Sequence, residues 1–156
     1  MNKNLSLIFK AGLLVGTLDI LAAFINFYAK TGKNVSIVLK YIASAVFGKE
    51  AMSGGTLMAA AGLLFHYLIA FSFTALFALL YPKLWQWFKS VWLITILYGV
   101  FIWLLMNLII VPSTRAPQIP FSWSAGLVNC LILALCIGLP LAYLFRKNDT
   151  ANSPKN

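Results

Sequence analysis

The chain has 156 residues, 62% of them hydrophobic and 10% charged, with a mean hydropathy of +0.89. That balance excludes an ordinary water-soluble domain. Twelve Lys and Arg against three Asp and Glu give a net charge of +9, yet no base falls within residues 51–82, 90–114 or 116–145. Bases that frame apolar runs anchor a chain to lipid headgroups and do not form a nucleic-acid face, so no nucleic-acid partner is expected.

The first apolar run, from residue 5 or 11 to residue 29, carries one acid in its middle. Gly12, Gly16, Asp19, Ala23 and Asn26 recur at spacings of four, three, four and three. At about 3.6 residues per turn they share one stripe of a helix, and Leu13, Leu14, Leu18, Ile20, Leu21, Phe24 and Ile25 cover the other faces. Such a helix turns small and polar groups towards other helices and hydrocarbon towards lipid. An ionisable group at that depth is costly and calls for a partner. With Lys10 and Asp19 inside it and no small-residue cleavage site after it, the run reads as a retained span, not a signal peptide.

Residues 34–48 are too short and too polar to cross. Ser36, Lys40 and Ser44 recur every four residues, while Val35, Val38, Ile42 and Val46 line another face. The pattern predicts a short amphipathic helix, either lying in the membrane interface or packed over the end of the bundle. Gly54 and Gly55 then break the chain. The second span is expected over 57–81, closed by Pro82, with residues 81–89 as a tight link rich in aromatics and lysines.

A third span is expected over 91–111, closed by Pro112, with Thr95 and Gly99 on its packing side. Three prolines stiffen the following loop. The fourth span, 121–145, carries Ser122, Gly126, Asn129, Cys136 and Pro140 on one face, and Pro140 is expected to kink it. Cys130 and Cys136 fall on different faces, so they are not expected to pair.

Each run reaches roughly the 20 residues needed to cross a bilayer, and only helices or closed barrels satisfy their backbone there. The fold class is therefore all-α: an integral membrane four-helix bundle with a short interfacial amphipathic helix between the first and second spans. It forms a single domain over 1–147, followed by a disordered polar tail over 148–156. With the N-terminus inside, the inner side holds Lys3, Lys10, Lys83, Lys89, Arg146, Lys147 and Lys155, and the outer side Lys30, Lys33, Lys40, Lys49 and Arg115. Seven bases against five favour both termini in the cytoplasm.

The second span repeats the pattern of the first: Gly55, Ala59, Gly62 and His66 form a small-residue stripe ending on an ionisable group. Asp19 and His66 each lie about ten residues from the outer ends of their spans, or roughly 15 Å deep. Facing stripes on antiparallel helices would bring them within a salt bridge of each other. The pair has two readings. It is a structural lock that fixes helix register, or a protonatable centre that relays or senses protons. Asn26, Asn107 and Asn129 are expected to make interhelical hydrogen bonds, and Gly12, Gly16, Gly55, Gly62 and Gly126 to let helices pack closely.

One histidine cannot build a metal site, Ser113 and Thr114 lack a nearby general base for nucleophilic catalysis, and no phosphate loop is present. An enzyme is disfavoured, and no metal or cofactor is expected. Between residues 66 and 112 the chain resembles the YagU-like family of bacterial inner-membrane proteins. The likeness lies in Gly62 followed by His66, in the turn Tyr81-Pro82-Lys83-Leu84-Trp85, and in the end of span three from Asn107 to Pro112. It implies an inner-membrane location and supplies no catalytic residues. The expected partners are the lipid bilayer and either a second copy of the chain or a membrane complex. The functional expectation is proton-linked transport or pH sensing, with a non-catalytic assembly or stabilising subunit as the alternative.

Overall fold

Four long helices, each apolar enough to cross a membrane, make this a multi-pass membrane protein by length and composition. The computed structural model describes residues 3–118, 120 and 122–152, and among them there are no strands. Helix α1 (Lys3–Thr31) is the first span. Two short helices follow, α2 (Ser36–Phe47) and α3 (Glu50–Ser53), before the second span α4 (Thr56–Phe88). The third span begins as α5 (Val91–Leu104), widens into a π turn (Leu105–Ile110) and ends in a 3-10 turn (Val111–Ser113). The fourth comprises α6 (Trp123–Leu133), a π turn (Ala134–Gly138) and α7 (Leu139–Asn152).

Two boundaries differ from the sequence reading. Pro82 does not close the second span, and the helix continues through it to Phe88. The aromatics beyond it hold the extra turns: Tyr81 stacks on Trp85 (ring centroids 6.2 Å), and the Arg146 guanidinium sits 4.2 Å over the Trp85 ring. The reversal comes instead at Lys89, in left-handed backbone (φ 48°). Residues 148–152, expected as a disordered tail, continue α7, whereas 153–156 and the predicted start of the fourth span at 121 lie outside the described residues.

Both π turns stand just upstream of a proline, Pro112 or Pro140. A proline has no N–H for the carbonyl four residues back and its ring crowds that carbonyl, so the helix widens there.

The bundle has a tight half and a hollow half. Around Phe77 the rings of Tyr98 (4.8 Å) and Phe145 (5.3 Å) pack edge-on, with Ile94, Ile102 and Leu141 fully buried. Close backbone approaches lock this half. A Cβ on Gly99 would meet the Ala134 backbone at 2.5 Å, and one on Gly138 would meet the Thr95 carbonyl at 2.6 Å. Leucines such as Leu57, Leu64, Leu79 and Leu127 point outward, supplying the surface a bilayer would cover.

Helix α2 packs against the start of α4. The carbonyl of Leu39 presses on Gly62, where a Cβ would lie 1.9 Å from its oxygen, and Phe47 stacks on Phe65 at 6.0 Å. From Leu39 to Phe47, α2 thus lies against α4 as a lid. Its other edge is tied to the loop after span three. The Arg115 N–H donates to the Ala45 carbonyl (3.1 Å) and the Tyr41 hydroxyl donates to the Pro117 carbonyl (3.2 Å).

Candidate functional site: an apolar cavity walled by Asp19 and His66

On α1, Gly12 and Gly16 are buried, Asp19, Ala23 and Asn26 are half-buried, and Leu13, Leu14, Leu18, Leu21 and Ile25 are exposed. Ile20, expected on the lipid side, is instead buried. The two glycines set the distance to α4. A Cβ on Gly12 would fall 2.4 Å from the Phe71 ring, and one on Gly16 would fall 2.9 Å from the Tyr67 ring and 3.2 Å from the Ala70 Cβ. The Thr17 hydroxyl shares a 2.8 Å hydrogen bond with the Tyr67 hydroxyl beside this contact.

His66 is buried, and its Nε2 lies 2.8 Å from the Gly16 carbonyl oxygen. A carbonyl only accepts, so Nε2 carries the hydrogen and donates it. The expected Asp19–His66 salt bridge is therefore corrected. Among the described residues no ion pair within 4.0 Å joins the two. Because Gly16 has no side chain, the backbones come close enough for its carbonyl to take the ring nitrogen. The carboxylate, about one turn further along α1, lines the same space as the ring.

That space is a cavity of about 220 Å³ walled by both Asp19 and His66, with Ile69, Phe73 and Ile137 among its apolar lining. A second cavity of about 590 Å³ shares Asp19, Ala23, Val38, Tyr41 and Met106 with it and extends towards Asn26, Asn107 and Asn129. Two of these amides meet as expected: Asn26 Nδ2 donates to Asn129 Oδ1 across helices at 3.3 Å. Asn107 does not, because its Nδ2 donates to the Trp103 carbonyl of its own helix at 2.8 Å. Cys136 lies within electrostatic reach of Asp19, and both cysteines are free.

The second small-residue stripe divides its work differently from the sequence reading. His66 turns to α1, but Gly62 turns to α2, and Gly55 packs against nothing within 4 Å. Gly55 is the extended N-cap of α4, so it serves the helix start and not helix packing. Gly126 is buried within α6.

Tyr41 was not singled out from the sequence. It lines both cavities and fastens the lid, and burial pushes its phenol above the ordinary value of 10.0. Its only sequence signal is an aromatic hydroxyl within an otherwise aliphatic amphipathic helix.

Compared with protein-family models, curated proteins and solved structures, the chain matches none.

Proposed function

We propose that this is a bacterial inner-membrane protein that couples the protonation of Asp19 and His66 to movement of a solute or to a response to pH. One observation carries the reading: the acid and the histidine that the sequence places in apolar spans wall a single cavity in the hollow half of the bundle. An ionisable group inside a membrane is costly to keep, and lining a cavity is the usual setting in which it is kept. Histidine is the side chain whose ordinary charge change lies nearest physiological pH. The base count and the YagU-like resemblance support an inner-membrane location with both termini in the cytoplasm, and a second copy of the chain would enlarge the pathway.

The alternative is a non-catalytic assembly or stabilising subunit; Gly12, Gly16 and Gly62 pack within the chain, which leaves Gly55 and the outer face of α2 for such a partner.

The test is reconstitution into liposomes holding a pH-sensitive dye, with an imposed pH gradient. Wild-type protein is expected to give a proton-linked signal, or a pH-dependent change in tryptophan fluorescence. Asp19→Asn should lose it while keeping its unfolding midpoint. Wild-type vesicles indistinguishable from empty ones in the first readout, with a flat fluorescence profile between pH 5 and 8 in the second, would remove the proposal.

A further inference from the structure

We infer that the joined cavities bind a small lipophilic organic cation, an ammonium with an apolar body, held by the Asp19 carboxylate. The inference rests on the reading of Asp19 as an ionisable centre and adds the class of ligand.

Size comes first. Chambers of about 220 and 590 Å³ that share a wall at Asp19 and Ala23 suit a small organic molecule. Charge comes second. No Lys or Arg lines either chamber, and the one basic side chain, His66, has its Nε2 hydrogen engaged by Gly16. With an anion or a neutral guest the group is best kept as the uncharged acid, and neither would gain from the ionised carboxylate. A cation neutralises it.

The surroundings then separate an ammonium from a metal ion. Hard cations take about six or more oxygen ligands. Among the described residues no group of three or more His, Cys, Asp and Glu comes together. Near Asp19 the walls are hydrocarbon and aromatic: Phe73 in the smaller chamber, Phe27 and Trp103 in the larger, Tyr41 in both. Aromatic rings attract ammonium groups, and hydrocarbon walls reward an apolar body. Each amide of the larger chamber makes a hydrogen bond within the protein, Asn26 to Asn129 and Asn107 to the Trp103 carbonyl.

The titratable groups facing Asp19 from its neighbours are His66 on α4, Tyr41 on α2 and Cys136 in the fourth-span π turn. On acidification a proton on the Asp19 carboxylate removes the ligand's counter-charge. Cation and proton therefore compete: the ammonium enters as the carboxylic acid releases its proton, and the site's charge is unchanged.

The test uses benzyltrimethylammonium and its uncharged carbon isostere neopentylbenzene, titrated calorimetrically into full-length protein in mild detergent at pH 5 and pH 8. Saturable binding of the cation at pH 8 is expected, at least tenfold weaker at pH 5, at least tenfold weaker in Asp19→Asn, and absent for the isostere. Ala23→Phe, which keeps the acid and fills the shared wall, should also abolish it. This variant and the isostere decide the matter if Asp19→Asn does not fold. No saturable binding, equal binding of the isostere, or binding indifferent to these substitutions overturns the inference. Proton-linked signals without cation binding would sink the inference and leave the proposed function standing. Cation binding without any proton-linked signal would do the reverse.

Discussion

His66 Nε2 donates to the Gly16 carbonyl oxygen at 2.8 Å, a side chain of the second span gripping the backbone of the first. That oxygen is within reach because position 16 has no side chain. The contact therefore depends on two residues fifty apart, one for what it carries and the other for what it lacks.

Glycine substitutions should rank by what a new methyl would strike. In Gly62→Ala it meets the Leu39 backbone, which cannot swing aside. The cost should reach or exceed the top of the roughly 1–3 kcal/mol usual for overpacking. Gly16→Ala meets the Tyr67 ring and Ala70, and should fall lower in that range while pulling His66 from its carbonyl. Gly55→Ala meets nothing and should stay within about 0.5 kcal/mol of wild type. Unfolding midpoints in detergent check the order, and a Gly55 variant as damaged as the Gly62 variant would contradict it.

The amides separate in a double-mutant cycle. Asn26→Ala and Asn129→Ala remove the two ends of one interhelical bond and should couple by about 0.5–1 kcal/mol. Asn26→Ala with Asn107→Ala should be additive, because Asn107 bonds within its own helix. Coupling in the second cycle and none in the first would reverse the assignment.

Much of this arrangement is legible in the sequence, for identifiable reasons. Span number follows from hydrocarbon length, and the inner stripe of α1 follows from spacing, because a helix repeats its faces whatever it packs against. What the spacing cannot give is which neighbour a stripe addresses. Gly62 and His66 lie four residues apart on one face, yet they meet α2 and α1 respectively, since the lid lies against α4 just there. The proline rule failed at Pro82 because it describes an isolated helix, and Trp85 with Arg146 supplies tertiary anchoring beyond it. The expected Asp19–His66 salt bridge does not form because the carbonyl that Gly16 exposes takes the ring nitrogen instead.

The lid should weaken in alkali through Tyr41. Its phenol has a raised value in the folded protein, so the fold favours the neutral form. That contribution is whole below about pH 10, the ordinary value for an unfolded tyrosine, and is lost as pH rises through the higher folded value. Tyr41→Phe cannot ionise, so it should be less stable than wild type at pH 8, by about 0.5–1.5 kcal/mol for the lost bond to Pro117. The difference should narrow above pH 10. Unfolding midpoints of both proteins across pH 8–11 check this, and parallel curves would show that Tyr41 plays no part.

The wide turns at Leu105–Ile110 and Ala134–Gly138 each hold slack that the rest of the bundle lacks. Removing one residue from within 134–138 would let the coil tighten to the usual pitch, with the halves above and below keeping their bearings. The same deletion in Trp123–Leu133 would swing everything on one side by about 100° and carry Asn129 or Ile137 off its face. Of all the places in these spans, the stretches beside the prolines are therefore where a change in chain length is most easily absorbed.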